Sequence, residues 1–154
     1  MHDNLAGFIK ILENKGLLDF NILGESEEHF NNRLKIQKYV YLVKYYGLDM
    51  HYDYNMYLHG PYSQQLAWDC YSLAKNPEKY DNAMNVTIRD QFFELIGNRD
   101  TEWLEVASTL LSLREYFRDR ASLLDRTANT KERIPIETIQ SVFNELEHLK
   151  LITF

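Results

Sequence analysis

At 154 residues, with 45% hydrophobic and 26% charged side chains, the chain has the composition of a folded protein. A chain of that length can bury about 70% of its unfolded surface as one domain. A formal charge of −6 argues against a surface given over wholly to nucleic acid, and no window approaches the roughly 18 apolar residues of a membrane span. The single cysteine, Cys70, excludes an internal disulfide and, with no secretory leader, leads us to expect a cytoplasmic protein.

Leu5, Phe8, Ile9 and Leu12 recur at helical spacing and predict a helix over 4–15, closed by Gly16. An apolar connector and an acidic cluster at Glu25, Glu27 and Glu28 follow. The stripe Ile36, Tyr39, Val40, Val43 and Tyr46 then predicts a helix over 29–46, stopped at Gly47. In "HYDYNMYLH" the period changes to two, which predicts a strand over 51–59. Gly60-Pro61 breaks it, because proline offers no ladder donor and glycine permits a tight path. Ser63 is placed to cap a helix that buries Leu66, Cys70, Leu73 and Ala74 and ends before Pro77. Further helices are predicted over 85–96, from Asp100 or Thr101 through Phe117, near 119–127, and from Pro135 to Lys150, with "LKLITF" finishing as a short strand. The expected architecture is a single, mainly α domain over 1–154, of about six helices with a short β-strand or hairpin element. The winged helix is one arrangement these pieces could take.

Chemistry is sparse. The six glycines form no phosphate-cradling loop, there is no cysteine pair or His-Glu-x-x-His for zinc, and the Gly-x-Ser-x-Gly elbow is missing. His51 and Asp53 share parity on the predicted strand, but a solvated polar face accounts for them better than a metal. Cys70 sits on an apolar helix face and reads as a small core residue. No catalytic residue, metal ligand or cofactor site is assigned. Residues 31–47 hold Arg33, Lys35, Lys38 and Lys44 with no acid, while the other 137 positions carry 13 basic and 23 acidic side chains. Such a stretch can face phosphates or an acidic partner, or pair with Glu25, Glu27 and Glu28. Tyr41 and Tyr45, one turn apart beside it, suit base stacking or a protein interface.

"RLKIQKYVYLVKYYG", the polar-aromatic strand and "YLHGPYSQQLAWDCYSL" together resemble the signature of the YwgA-type family of small prokaryotic proteins. His59 stands where an aromatic residue is more usual, and Ile36 where a leucine is. "LEVASTLLSLREY" and the closing Glu-x-Leu helix are similar to that family's second half. More distantly, the Gln-Lys-x-x-Tyr helix and the Gly-Pro corner resemble Panacea-domain (SocA-like) proteins, which act as antitoxins or proteolytic adaptors. The motif positions are Gln37, Lys38, Tyr41, Gly60, Pro61, Tyr62, Ser63 and Leu66, and the resemblance brings no catalytic centre to transfer.

The function expected is therefore a non-catalytic protein-interaction or regulatory module, antitoxin-like or adaptor-like. Lys38, Tyr41, Tyr45, His59 and Tyr62 are expected to face the partner; Gly60, Pro61, Ser63 and Leu66 are expected to build the corner. The partner expected is a protein, a second copy of the chain included. Nucleic acid ranks second, through a winged-helix-like DNA-binding regulator, and no membrane or cofactor is expected.

Overall fold

The computed structural model describes residues 1–154, and seven α-helices with one two-stranded antiparallel hairpin make the protein mainly helical, as expected. The chain forms two compact units, Met1–Thr101 and Glu102–Phe154. No helix is long and apolar enough to cross a membrane.

The first unit contains α1 (Leu5–Asn14), α2 (Glu27–Val43), β1 (Asn55–Tyr57), β2 (Gly60–Tyr62), α3 (Gln64–Lys75) and α4 (Asp90–Ile96). Its core joins Leu5, Phe8 and Leu12 of α1 with Ile36, Val40 and Val43 of α2, Leu66 of α3, and Phe92 and Ile96 of α4. The Phe92 ring sits 5.8 Å from Phe8 and 6.0 Å from Tyr46, centroid to centroid. Helix α2 begins earlier than its apolar stripe predicts, because Ser26 caps it by accepting from the His29 amide and Glu27 and Glu28 meet the positive end of the helix dipole. Those acids therefore serve the helix terminus. Every side chain from Ile36 to Val43 is buried, so α2 runs through the interior and must take its polar residues inside with it.

Two expectations in this unit give way. The strand predicted over 51–59 is only three residues long, and Gly60-Pro61 does not end the sheet but begins its second strand. Asn55, Met56 and Tyr57 pair with Tyr62, Pro61 and Gly60 around a two-residue loop, Leu58-His59. Upstream, His51 takes a left-handed backbone (φ 59°) and its amide donates to Asp49 Oδ1, which turns the chain out of an extended path. The helix predicted over 85–96 starts only at Asp90. Before it, the Asn85 amide donates to Asn4 Oδ1 and the Arg89 amide to the Tyr46 carbonyl, so these donors are satisfied by α1 and the end of the α2 segment rather than by a local helix.

Helix α5 (Thr101–Leu113) begins at the boundary, and the second unit continues with α6 (Arg120–Thr130) and α7 (Ile136–His148). Asp119 caps α6 by accepting from the Ser122 amide, a bond that holds its carboxyl below the usual range. Glu105 of α5 is buried and receives Lys131 Nζ at 3.2 Å and Arg133 Nη2 at 2.7 Å. Burial pushes the Lys131 ammonium down, and Glu105 pulls it part of the way back. The expected C-terminal strand does not form. Lys150 adopts φ 62°, its amide donates to Glu147 O and that of Leu151 to Leu146 O, so the chain folds back onto the end of α7.

Candidate docking groove

The burial of α2 explains what the Gln-Lys pair does. Proline has no N–H to give, so Met56–Pro61 is the kind of antiparallel pair that exchanges no ladder bonds, and its carbonyl points away from β1. Lys38, 1% exposed, meets that carbonyl: its Nζ donates to Pro61 O at 2.8 Å. Two residues on, Ser63 presents its backbone in the same direction. Gln37 donates from Nε2 to Ser63 O and accepts from the Ser63 amide at Oε1, both at 2.9 Å. The two side chains thus cover the free edge of β2 with the hydrogen bonds a third strand would have made. Gly60, at φ 94°, supplies the left-handed step that brings β2 to them, and Ser63 Oγ accepts from the Leu66 amide to start α3. Gly60, Pro61, Ser63 and Leu66 form the corner, and Gln37 and Lys38 are its clamp.

This junction lies beneath an open groove of about 740 Å³. One wall is α2, with Phe30, Arg33 and Leu34; the other is α3, with Ala67, Trp68 and Tyr71; the hairpin tip and the loop Ile22–Glu25 complete it. The loop is fastened by Arg33, whose Nη1 donates to Ile22 O at 2.7 Å and Gly24 O at 2.6 Å, and by Asn32, which donates to Asn21 O. The Phe30 and His59 rings meet edge to face at 5.3 Å, as do Tyr57 and Tyr62 at 5.4 Å. Burial pushes the Tyr62 phenol up, Tyr57 adds to the shift, and Arg33 opposes it. Cys70 lies at the base, 5% exposed; burial and the neighbouring Asp69 carboxylate push its thiol up to about 12. Asp69 itself accepts from Tyr52 Oη at 2.6 Å and Gln65 Nε2 at 2.9 Å, tying the segment before β1 to α3.

The residues expected to face a partner divide. Lys38, His59 and Tyr62 line the groove, but Lys38 is committed to the corner and buried, so the expectation of an exposed cationic side chain there is corrected. Tyr41 is 2% exposed and is likewise no part of an open face. With Tyr45 it belongs to a separate cluster: Tyr41 meets Tyr54 at 5.0 Å and Tyr45 at 6.2 Å, and Lys44 Nζ stands over the Tyr41 ring at 3.9 Å. The basic stretch 31–47 is dispersed in the same way, with Arg33 on the loop carbonyls, Lys38 inside and Lys44 among tyrosines.

The sequence reading missed Leu23, Phe30, Leu58, Trp68 and Tyr71, all groove-lining and all exposed. For two of them a signal was present. In α3 the buried stripe is Leu66, Cys70 and Leu73, and Trp68 and Tyr71 are large aromatic residues on the face that amphipathic spacing assigns to solvent. No group of three or more His, Cys, Asp or Glu side chains is arranged to hold a metal ion, and the nearest carboxylate to His51 is that of Asp49, at 3.6 Å. No protein-family model, curated protein or solved structure matches the chain.

Proposed function

We propose that this chain is a non-catalytic interaction module that docks a protein partner in the groove between α2, α3 and the hairpin tip. One observation carries the reading. Of the eight large apolar side chains left exposed in residues 1–101, six line this groove: Leu23, Phe30, Tyr57, Leu58, Trp68 and Tyr71. Scattered exposed apolar residues are normal on a protein surface, whereas a contiguous aromatic set marks a binding site. The reactive polar groups there serve the architecture instead: Lys38 and Gln37 hold β2, Arg33 holds the loop, and the Cys70 thiol stays protonated at neutral pH. The more distant resemblance to Panacea-domain proteins supports a partner that is either a toxin to be neutralised or a client to be handed on.

A photocrosslinking residue at Tyr71, compared with one at Tyr116 of the second unit, tests this in the native cell. We expect a discrete adduct with one protein from position 71, and its loss when Leu58→Asp and Trp68→Asp are added. These two exposed sites tolerate charge, so the melting temperature should hold. An adduct that survives the double variant, or the same adduct from position 116, refutes the groove as the docking site.

A further inference from the structure

The charges around the groove do not match the rest of the chain. Arg33, Lys38 and Lys75 line it against Glu25 alone, a local balance of +2 on a protein of −6. Lys38 is occupied at the corner, but the other two cations are different. Arg33 spends only Nη1 on the carbonyls of Ile22 and Gly24, and Lys75 contacts only the Tyr71 ring, at 5.4 Å. Neither forms an ion pair with a carboxylate, although acids outnumber bases 23 to 17 over the chain. Beside an exposed aromatic groove whose lining is net positive on an acidic chain, both are placed for charges arriving from outside.

We infer that the groove's occupant is an acidic apolar segment of its protein partner, with aromatic or aliphatic anchors seated between Trp68 and Phe30 and flanking carboxylates meeting Arg33 and Lys75. This rests on the docking role proposed above and specifies its partner. Nucleic acid fits less well, because only two such cations are present, whereas phosphate backbones are held by several.

Selection of displayed random peptides on the intact purified protein reads the preference directly. Bound peptides should be enriched in Leu, Ile, Phe and Trp, with Asp and Glu beside them and Lys and Arg depleted. A synthetic peptide from that pool should bind about tenfold more weakly to Lys75→Glu, and Arg33→Glu with Lys75→Glu should reverse the charge preference of a fresh selection. Arg33 also fastens the loop Ile22–Glu25, so Lys75→Glu alone, at an exposed site, keeps the test valid if the double variant misfolds. Apolar enrichment without acidic bias, or an acidic bias unchanged in Lys75→Glu, overturns the inference and leaves groove docking intact. No enrichment over an unrelated protein overturns both, as does saturable competition by a single-stranded oligonucleotide for the same site.

Discussion

Lys38 shows how a charged residue becomes structural. An ammonium group taken out of water is costly unless it is hydrogen-bonded, and the outward carbonyl of Pro61 is a strong acceptor fixed in place by the hairpin. Replacing it with methionine keeps the stem but leaves that carbonyl without its donor. Lys38→Met should therefore lower the stability of the protein by about 1–3 kcal/mol, measured by urea unfolding. Lys38→Glu should be worse, setting an anion against a carbonyl, so both changes report on folding and are poor probes of binding. Wild-type stability in Lys38→Met removes the clamp from the account of the corner.

Cys70 yields a residue-scale prediction with a definite sign. Its folded pKa of about 12 lies above the ordinary thiol value of 9.0, chiefly through burial. Between those values the unfolded chain sheds a proton that the folded chain keeps, so stability is fully present below pH 9 and is lost as pH rises toward 12. Several tyrosines, including Tyr39 and Tyr46, are shifted in the same direction. The useful comparison is thus with Cys70→Ala: the urea midpoint of the wild type should fall more steeply from pH 9 to 11 than that of the variant. Parallel curves would mean the thiol is open to solvent. Iodoacetamide at pH 8 should likewise modify folded Cys70 at least tenfold more slowly than the unfolded thiol.

At the scale of elements, the break at Gly16 and the restart at Ser63 were legible in the sequence. Ser63 caps α3 as its side chain predicts, because capping is decided within four residues. Gly16 ends α1 with φ 71°, its amide donating to Glu13 O and that of Leu17 to Leu12 O. The end of α7 uses the same bonds with Lys150 in the left-handed position, where an L side chain is disfavoured. Lys150→Gly should accordingly stabilise the protein by about 0.5–1 kcal/mol, visible as a higher thermal midpoint. A lower midpoint would show the Lys150 side chain contributing more than its backbone costs.

What was not legible depended on distant partners. Alternation over 51–59 looked like a long strand, but pairing needs a second strand, and only three residues have one. The spacing in α2 could not reveal that every side chain from Ile36 to Val43 is buried, so Lys38 and Tyr41 were placed outside. The groove draws on four segments between Ile22 and Lys75, and no local spacing joins Leu23 to Trp68. Exposure of Trp68 and Tyr71 was predictable from α3 alone; that they face Phe30 was not.

Across the whole molecule, the question is whether charge is concentrated or spread. A run of four cations without an acid suits, in one dimension, phosphates, an acidic partner or the chain's own acids. Folding takes it apart: Lys38 goes to the Pro61 carbonyl, Lys44 to the Tyr41 ring and Arg33 to the loop, and Lys35 is left half-buried on a chain of net −6. Each phosphate neutralised by a protein contributes about 0.9 to the slope of log affinity against log salt, and useful affinity requires several such contacts acting together. Dispersed cations on an acidic background cannot supply them, and long-range repulsion opposes approach. Titration of a labelled 20-base-pair duplex by anisotropy should consequently show no saturable binding at 50 mM salt up to roughly 10 μM protein, a concentration within the range of about 1–100 μM where DNA-binding proteins already bind non-specifically at physiological salt. Saturation below that concentration, with a salt slope steep enough for four or more contacts, would mean that the dispersed cations regroup on DNA, and the winged-helix reading would displace the docking groove.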